Sequence, residues 1–250
     1  RFKCDWSSDV CSSDLEPGDL SLTPSWLWHD HGNEGSDPVM WMDGLDIPLT
    51  MFFNSMFLED GAELHQKVTL PERHSETLYG QALFPGGAGG DHFQPGTGKA
   101  SPVLVYRWSA ARAALDFQKN SQAPDPFDGH LLRYADPATG GEAFPTMGCR
   151  IQLLPQGFRG RAHRHTVSAV YHVAEGSGYS VINGARFNWT KGDSIAVPGW
   201  CWHEHAAESA DAVLFSVTDE PMLKPFAQVR TQDFAESHQP VESTFKESAA

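Results

Sequence analysis

The residues of this chain most able to do chemistry are its histidines: there are 12 in 250 residues, and several fall in pairs separated by one residue. His163 and His165 flank Arg164. On an extended segment alternate side chains share a face, so the two imidazoles point at one place and Arg164 points away. Two imidazoles aimed at one point suit a metal ion, which then needs a third ligand from elsewhere. His203 is the candidate, because it follows Gly192 and Pro198 and so arrives on a later strand after a proline-fixed bend. Three neutral imidazoles leave as many as three coordination positions for other molecules. Imidazole accepts zinc, copper, iron or nickel, so the ligand type does not choose the metal. A histidine pair alone is equally well read as core packing or as exposed side chains; a third histidine brought in on a later strand favours a metal site at His163, His165 and His203.

A related constellation lies near the start. Placing Gly18-Asp19 on Gly192-Asp193, an offset of 174 residues, makes ten of 22 residues between 18 and 39 identical. The matches include Pro24 with Pro198, His29 with His203, His31 with His205 and Asp37 with Asp211. So long an offset is foreign to solenoid repeats and suits duplicated domains with a connection between them. One whole copy and the tail end of another are therefore expected, with His29 in the ligand position of the first.

These residues need elements to hold them. From Met147 onward short β-rich runs alternate with turns: 149–154, 168–174, 179–182, 185–189, 194–197, 200–205 and 212–217. Asn183-Gly184 between two such runs predicts a tight hairpin, since a type I′ turn requires positive φ at both positions. Closely spaced strands with Gly, Pro and Asn turns argue an all-β barrel or sandwich, the jelly roll among them. The connecting stretch 51–144 holds an apolar run from Met51 to Leu58, a Gly-rich loop at 85–90 and a predicted helix over 109–118. That loop lacks phosphate-binding spacing and reads as surface. Phe52, Phe53, Met56 and Phe57 are expected to be buried beneath the barrels, a subunit or inter-domain contact being the other reading. His65, His74, His92 and His130 lack paired spacing. The acidic segment after Val229 is expected to be mobile.

Composition narrows the function classes. Acidic residues outnumber basic ones 32 to 18, for a net charge of −14, without a Lys/Arg stripe, which argues against nucleic acid as a partner. No apolar run is long enough to span a membrane and no signal peptide is evident, so a cytoplasmic protein is expected. Cys149 and Cys201 stand singly, and no Cys-x-x-Cys pair suggests a disulfide framework or thiolate zinc site. The segment from Cys4 to Leu15 lacks a helix or strand period and half-repeats itself; it resembles a translated sequencing adapter. Residues 1–15 are expected to be an artefact, with native sequence beginning near Glu16, inside a domain.

The spacing Gly157, His163-Arg164-His165 and Gly176, then Gly192, Pro198 and His203, resembles the two motifs of the cupins. The carboxylate many cupins place shortly after the second histidine is missing, Ala169 and Val170 standing there, and Trp26 and Trp200 both replace a second-motif glycine. The run from Thr23 to Asn33, the stretch from Trp41 to Leu49, and the segments Asp125 to Gly129 and Asp136 to Gly141 resemble the gentisate 1,2-dioxygenase family, with salicylate and 1-hydroxy-2-naphthoate dioxygenases.

The resemblance implies an all-β bicupin of jelly-roll barrels: the end of a first cupin over 16–50, a connection over 51–144, a complete second cupin over 145–219 and a tail over 220–250. It implies Fe(II), a small aromatic hydroxy acid and dioxygen as reactants, ring cleavage to maleylpyruvate, and a homo-oligomer, a tetramer in the family. In the family's first barrel a histidine pair joins the equivalent of His29 on iron; that pair and the substrate-gripping arginines are expected upstream of the first residue of this chain, so the chain as given is expected not to assemble the family's main active site and to be inactive by itself. The resemblance gives His31 and Asp43 to the catalytic set. His31 faces the same side as His29, which suits a hydrogen bond to substrate or a dioxygen-derived group and equally a structural one. The competing readings are a non-catalytic barrel that binds metal or a small molecule and supports oligomerisation, and a different cupin enzyme such as an isomerase.

Overall fold

The computed structural model describes residues 2–6, 11–25, 27–33, 35–61, 66–80, 100–208 and 210–245. Trp26, the Gly-rich loop at 85–90, His65 and His92 lie outside these residues. The chain divides into two compact units, residues 1–110 with 135–145, and residues 111–134 with 146–250.

In the first unit, strands β1 (Phe2–Trp6) and β2 (Cys11–Leu15) form an antiparallel hairpin. The segment expected to lack regular structure thus has a backbone register, and β1 also pairs with β4 (His29–Asn33), Trp6 opposite His29. A two-stranded sheet joins β3 (Leu20–Ser21) to β5 (Val105–Tyr106). The short helices α1 (Ile47–Phe52) and α2 (His74–Tyr79) follow; α3 (Trp108–Ser121), which covers the predicted 109–118, starts here and lies mostly in the second unit.

Polar anchoring in this unit centres on Arg107. Its guanidinium makes two 2.7 Å bonds to the Glu76 carboxylate and one of 2.7 Å to Asp19, whose other oxygen accepts the Trp108 backbone N–H at 2.7 Å. All three charged side chains are largely withdrawn from water, so each satisfies the others. The apolar run expected to be buried is instead exposed, Phe52 at 82% and Leu58 at 85%. The first-copy segment, expected to form the end of a first cupin with His29 in its ligand position, also lies at the surface, with both His29 and His31 exposed on β4.

The second unit is the expected jelly roll. One sheet has the order β15 (Thr231–Asp233), β8 (His163–His165), β13 (His203–Ala207), β10 (Ser177–Ile182), β11 (Ala185–Thr190) and β16 (Ser243–Thr244). The other runs β12 (Ser194–Val197), β9 (Ala169–Glu175), β14 (Ala212–Thr218), β7 (Gly148–Leu154) and β6 (His130–Arg133). A short helix, α4 (Glu220–Leu223), follows β14. Pairing is antiparallel except where β16 lies parallel to β11. The hairpin at Asn183-Gly184 has φ of 46° and 80°, the positive values the dipeptide predicts. Leu154, Tyr171, Val173, Trp189, Val197 and Leu214 fill the space between the sheets. Burying such side chains contributes about 1.5–3 kcal/mol each against exposure, which makes this core the main source of the unit's stability.

Two details differ from the sequence reading. The strand expected from Trp200 begins at His203, because Trp200 occupies a turn with φ of 66°. The segment expected to be mobile is built into the barrel: β15 pairs with β8, and the buried Gln239 accepts from Gly184 N–H at 3.0 Å and donates to the Val181 carbonyl at 2.8 Å. Its own N–H donates at 2.9 Å to Glu204, whose buried carboxylate also takes Arg159 Nε at 2.9 Å.

Candidate metal centre

Strand β8 lies between β15 and β13, and the pairing sets His203 directly opposite His163. Alternation then directs His163 and His165 inward and Arg164 outward, as the sequence predicts. Arg164 stacks between Trp200 and Trp202, 4.3 Å from each ring, and is held by the Gln232 side chain. Inside, the imidazole centroids of His163 and His203 are 4.3 Å apart, those of His165 and His203 4.8 Å, and those of His163 and His165 5.6 Å. One ring nitrogen of each falls within 4.8 Å of the others, the only such grouping of possible metal ligands among the described residues.

The hydrogen bonds say which nitrogen faces the centre. His165 Nδ1 lies 2.7 Å from the Val167 carbonyl, His203 Nδ1 3.1 Å from that of Cys201, and His163 Nδ1 3.4 Å from that of Arg161. A carbonyl only accepts, so each Nδ1 carries the proton and each Nε2 presents a lone pair. This is the outer-shell arrangement of metal-binding imidazoles. His203 Nε2 is buried without a hydrogen-bond partner, which a divalent ion would supply. Burial, chiefly, holds the pKa of His203 well below the ordinary value; His163 and His205 depress it further, against the Cys201 carbonyl. His165 is lowered too, by burial first. Burial thus favours the neutral form of His165 and His203, the form in which imidazole ligates. The set fits a divalent transition metal, and its chemistry admits iron among others.

Two groups around the triad were given no role from the sequence. Asp128 reaches the vicinity of His163 and His165 from the turn before β6; burial raises its pKa, Asp125 adds to the rise, and the two imidazoles oppose it. The turn is fixed by Asp125, whose carboxylate accepts the N–H groups of Phe127 and Asp128 at 2.8 and 3.1 Å. Gly129 closes it with φ of 71°, where an added Cβ would sit 2.6 Å from the Leu153 carbonyl oxygen. Phe127 meanwhile packs edge-on to His163, 5.1 Å between centroids. The Asp125 to Gly129 segment stands in the sequence without any metal spacing, so only its folded position reveals a role. The second group is His205, fully buried two residues beyond His203 and 4.4 Å from the Tyr171 ring. Its pKa falls to about 3, through burial first and then His163 and His165.

In the first unit the expected residues are adjacent at an exposed edge. His29 and His31 lie 5.3 Å apart, and His31 packs against Trp41 at 5.5 Å. His29 Nδ1 faces the Leu27 carbonyl at 3.3 Å, the same tautomer-fixing contact seen in the triad. Asp43 is exposed but close enough to His31 to raise its pKa, an effect outweighed by desolvation and His29. Asn33 organises the following turn, donating to the Asp37 carbonyl at 2.8 Å and accepting from Gly35 N–H at 2.9 Å.

Comparison with known proteins agrees with this fold. The cupin domain family matches residues 150–218. A 5-aminosalicylate 1,2-dioxygenase of Comamonas sp. is 38% identical over 222 residues, 88% of this chain and 57% of the relative. A gentisate 1,2-dioxygenase of Aquipseudomonas alcaligenes is 39% identical over 224 residues, 88% of this chain and 62% of the relative. The crystal structure of a salicylate 1,2-dioxygenase from Pseudoaminobacter salicylatoxidans, with gentisate, superimposes with a TM-score of 0.80 at 30% identity, covering 94% of this chain and 63% of that one. The chain thus spans about 60% of the length of the curated relatives it matches.

Proposed function

We propose, for a chain that belongs to the gentisate 1,2-dioxygenase family of cupin proteins, that its activity is dioxygen-dependent cleavage of the ring of gentisate or a related hydroxybenzoate. The observation that carries this reading is kinship at 38–39% identity across 88% of the chain with two ring-cleaving dioxygenases. Fe(II) is the proposed metal and maleylpyruvate the proposed product from gentisate. When bound, such a metal supplies a template for two reactants and a route for electrons between them.

The chain's own residues divide into two groups. His163, His165 and His203 hold the metal of the second barrel through Nε2, with their protons engaged by backbone carbonyls. In the first cupin, spanning 16–50, His29 is one ligand of a metal set whose histidine pair is expected upstream of this chain, and His31 with Asp43 meets substrate there. The protein is proposed to act in the cytoplasm as a homo-oligomer. A second reading, in which the barrel over 145–219 binds metal without catalysis and supports assembly, is favoured by one observation: the triad sits in a closed β-sandwich, whereas His29 stands at an exposed edge.

Oxygen uptake tests the choice, measured on the Fe(II)-loaded chain extended upstream through the histidine pair expected to complete the first barrel. Consumption of dioxygen with loss of aromatic absorbance is expected with gentisate, and salicylate and 1-hydroxy-2-naphthoate define the range. Firm Fe(II) binding with no uptake on any of the three would reject the catalytic reading in favour of the second.

A further inference from the structure

His205 is the one buried imidazole beside the triad that takes no part in it. It follows His203 by two residues on β13, so the two rings share a face, with centroids 5.8 Å apart. Ser180 lies opposite it on β10 and is equally buried. His205 Nδ1 is 2.7 Å from Ser180 Oγ, and Trp189 Nε1 is 2.9 Å from the same oxygen. An indole N–H only donates, so the hydroxyl accepts from Trp189. The hydroxyl's own proton then needs an acceptor, and His205 Nδ1 is the one recorded among the described residues. Nδ1 therefore carries the lone pair and Nε2 the proton, the reverse of the three triad rings. That Nε2 is buried and has no hydrogen-bond partner.

An imidazole in this tautomer cannot ligate through Nε2, but it can donate. We propose that the second barrel binds a small carboxylate at its metal, with His205 Nε2–H donating to a carboxylate oxygen; this rests on the metal reading of the triad given above. The ligand class follows from charge and donor type. Three neutral imidazoles cancel none of a divalent ion's charge at a place where His203 is buried and His163 and His165 are half-buried, which favours an anion, and a lone N–H donor favours an oxygen acceptor. A carboxylate meets both demands with its two oxygens. Ser180 and Trp189 are positioning residues that hold the His205 tautomer.

The test uses the whole chain loaded with Co(II), whose visible spectrum reports its ligands, and acetate as the probe. Wild type is expected to bind Co(II) and to change spectrum on titration with acetate. His205→Phe, which keeps a ring but lacks the donor, is expected to retain Co(II) and lose about tenfold or more in acetate affinity, the range for a hydrogen bond to a charged group. His205→Gln, whose amide restores a donor, is expected to recover most of it. Ser180→Ala frees the tautomer, is a smaller change to the fold, and is expected to weaken acetate while leaving Co(II) in place. Unchanged acetate affinity in both His205→Phe and Ser180→Ala would overturn the proposal, as would a loaded wild type indifferent to acetate; should His205→Phe fail to fold, Ser180→Ala decides alone. Failure of wild type to take up Co(II) is a different result, which removes the metal reading and this proposal with it.

Discussion

At the scale of single residues, four imidazoles within one sheet take two chemical roles, set by what Nδ1 touches. A backbone carbonyl leaves Nε2 of His163, His165 and His203 with a lone pair, as the proposed metal requires; a serine hydroxyl committed to Trp189 leaves the proton on Nε2 of His205, as the proposed donor requires. Burial has a measurable cost in acid. The His205 pKa falls from 6.5 to about 3 on folding, so between those values the unfolded chain binds the extra proton and the native protein does not. Stability from this group is complete above pH 6.5 and is lost as pH falls, with a slope of roughly 1.4 kcal/mol per pH unit. Asp128, whose pKa is raised, contributes with the opposite sign, losing stability as pH rises. The clean readout is therefore the difference between wild type and His205→Gln in denaturant unfolding across this range, where the variant is expected to show a shallower acid loss by one proton. Equal slopes would contradict the buried neutral state of His205. Of these residues, the triad was legible in the sequence, because alternation fixes His163 and His165 and the Gly192 to Pro198 spacing marks His203. Asp128 and the tautomer of His205 were not, since one depends on a turn brought in from the connection and the other on partners 16 and 25 residues away.

At the scale of elements, the strand reading from Met147 onward holds nearly residue by residue, because two-residue periodicity and Asn-Gly, Gly-Asp and Pro turns are local signals. The exceptions have physical causes. Trp200 takes a positive φ, which propensity does not foresee, and this delays β13 to His203. The polar segment after Val229 looks unable to pack by composition, yet three residues of β15 complete the edge next to β8, and Gln239 is satisfied by backbone groups. The turn that carries Asp128 depends on Gly129. Gly129→Ala is expected to destabilise the second unit by about 1–3 kcal/mol, through strain at φ of 71° and a clash with the Leu153 carbonyl oxygen. Thermal unfolding measures it, and a variant as stable as wild type would show that the turn tolerates another conformation.

At the scale of the whole molecule, the duplication visible at an offset of 174 residues corresponds to very different surroundings in its two copies. His203 and His205 are buried in a closed sandwich, and their counterparts His29 and His31 stand exposed on β4. No helix among the described residues is long and apolar enough to cross a membrane. The apolar residues from Met51 to Leu58 remain exposed, a pattern that hydrophobicity alone predicted wrongly, because it records a need for burial and not where the covering surface comes from. What joins residue, element and molecule is the claim that the second barrel is built around a metal. Metal content of the purified chain after exposure to Fe(II) under anaerobic conditions tests it most directly. One ion per chain is predicted for wild type, with loss in His163→Ala and in His203→Ala while both variants stay folded; a folded wild type that holds no metal, or variants that hold as much as wild type, would contradict it.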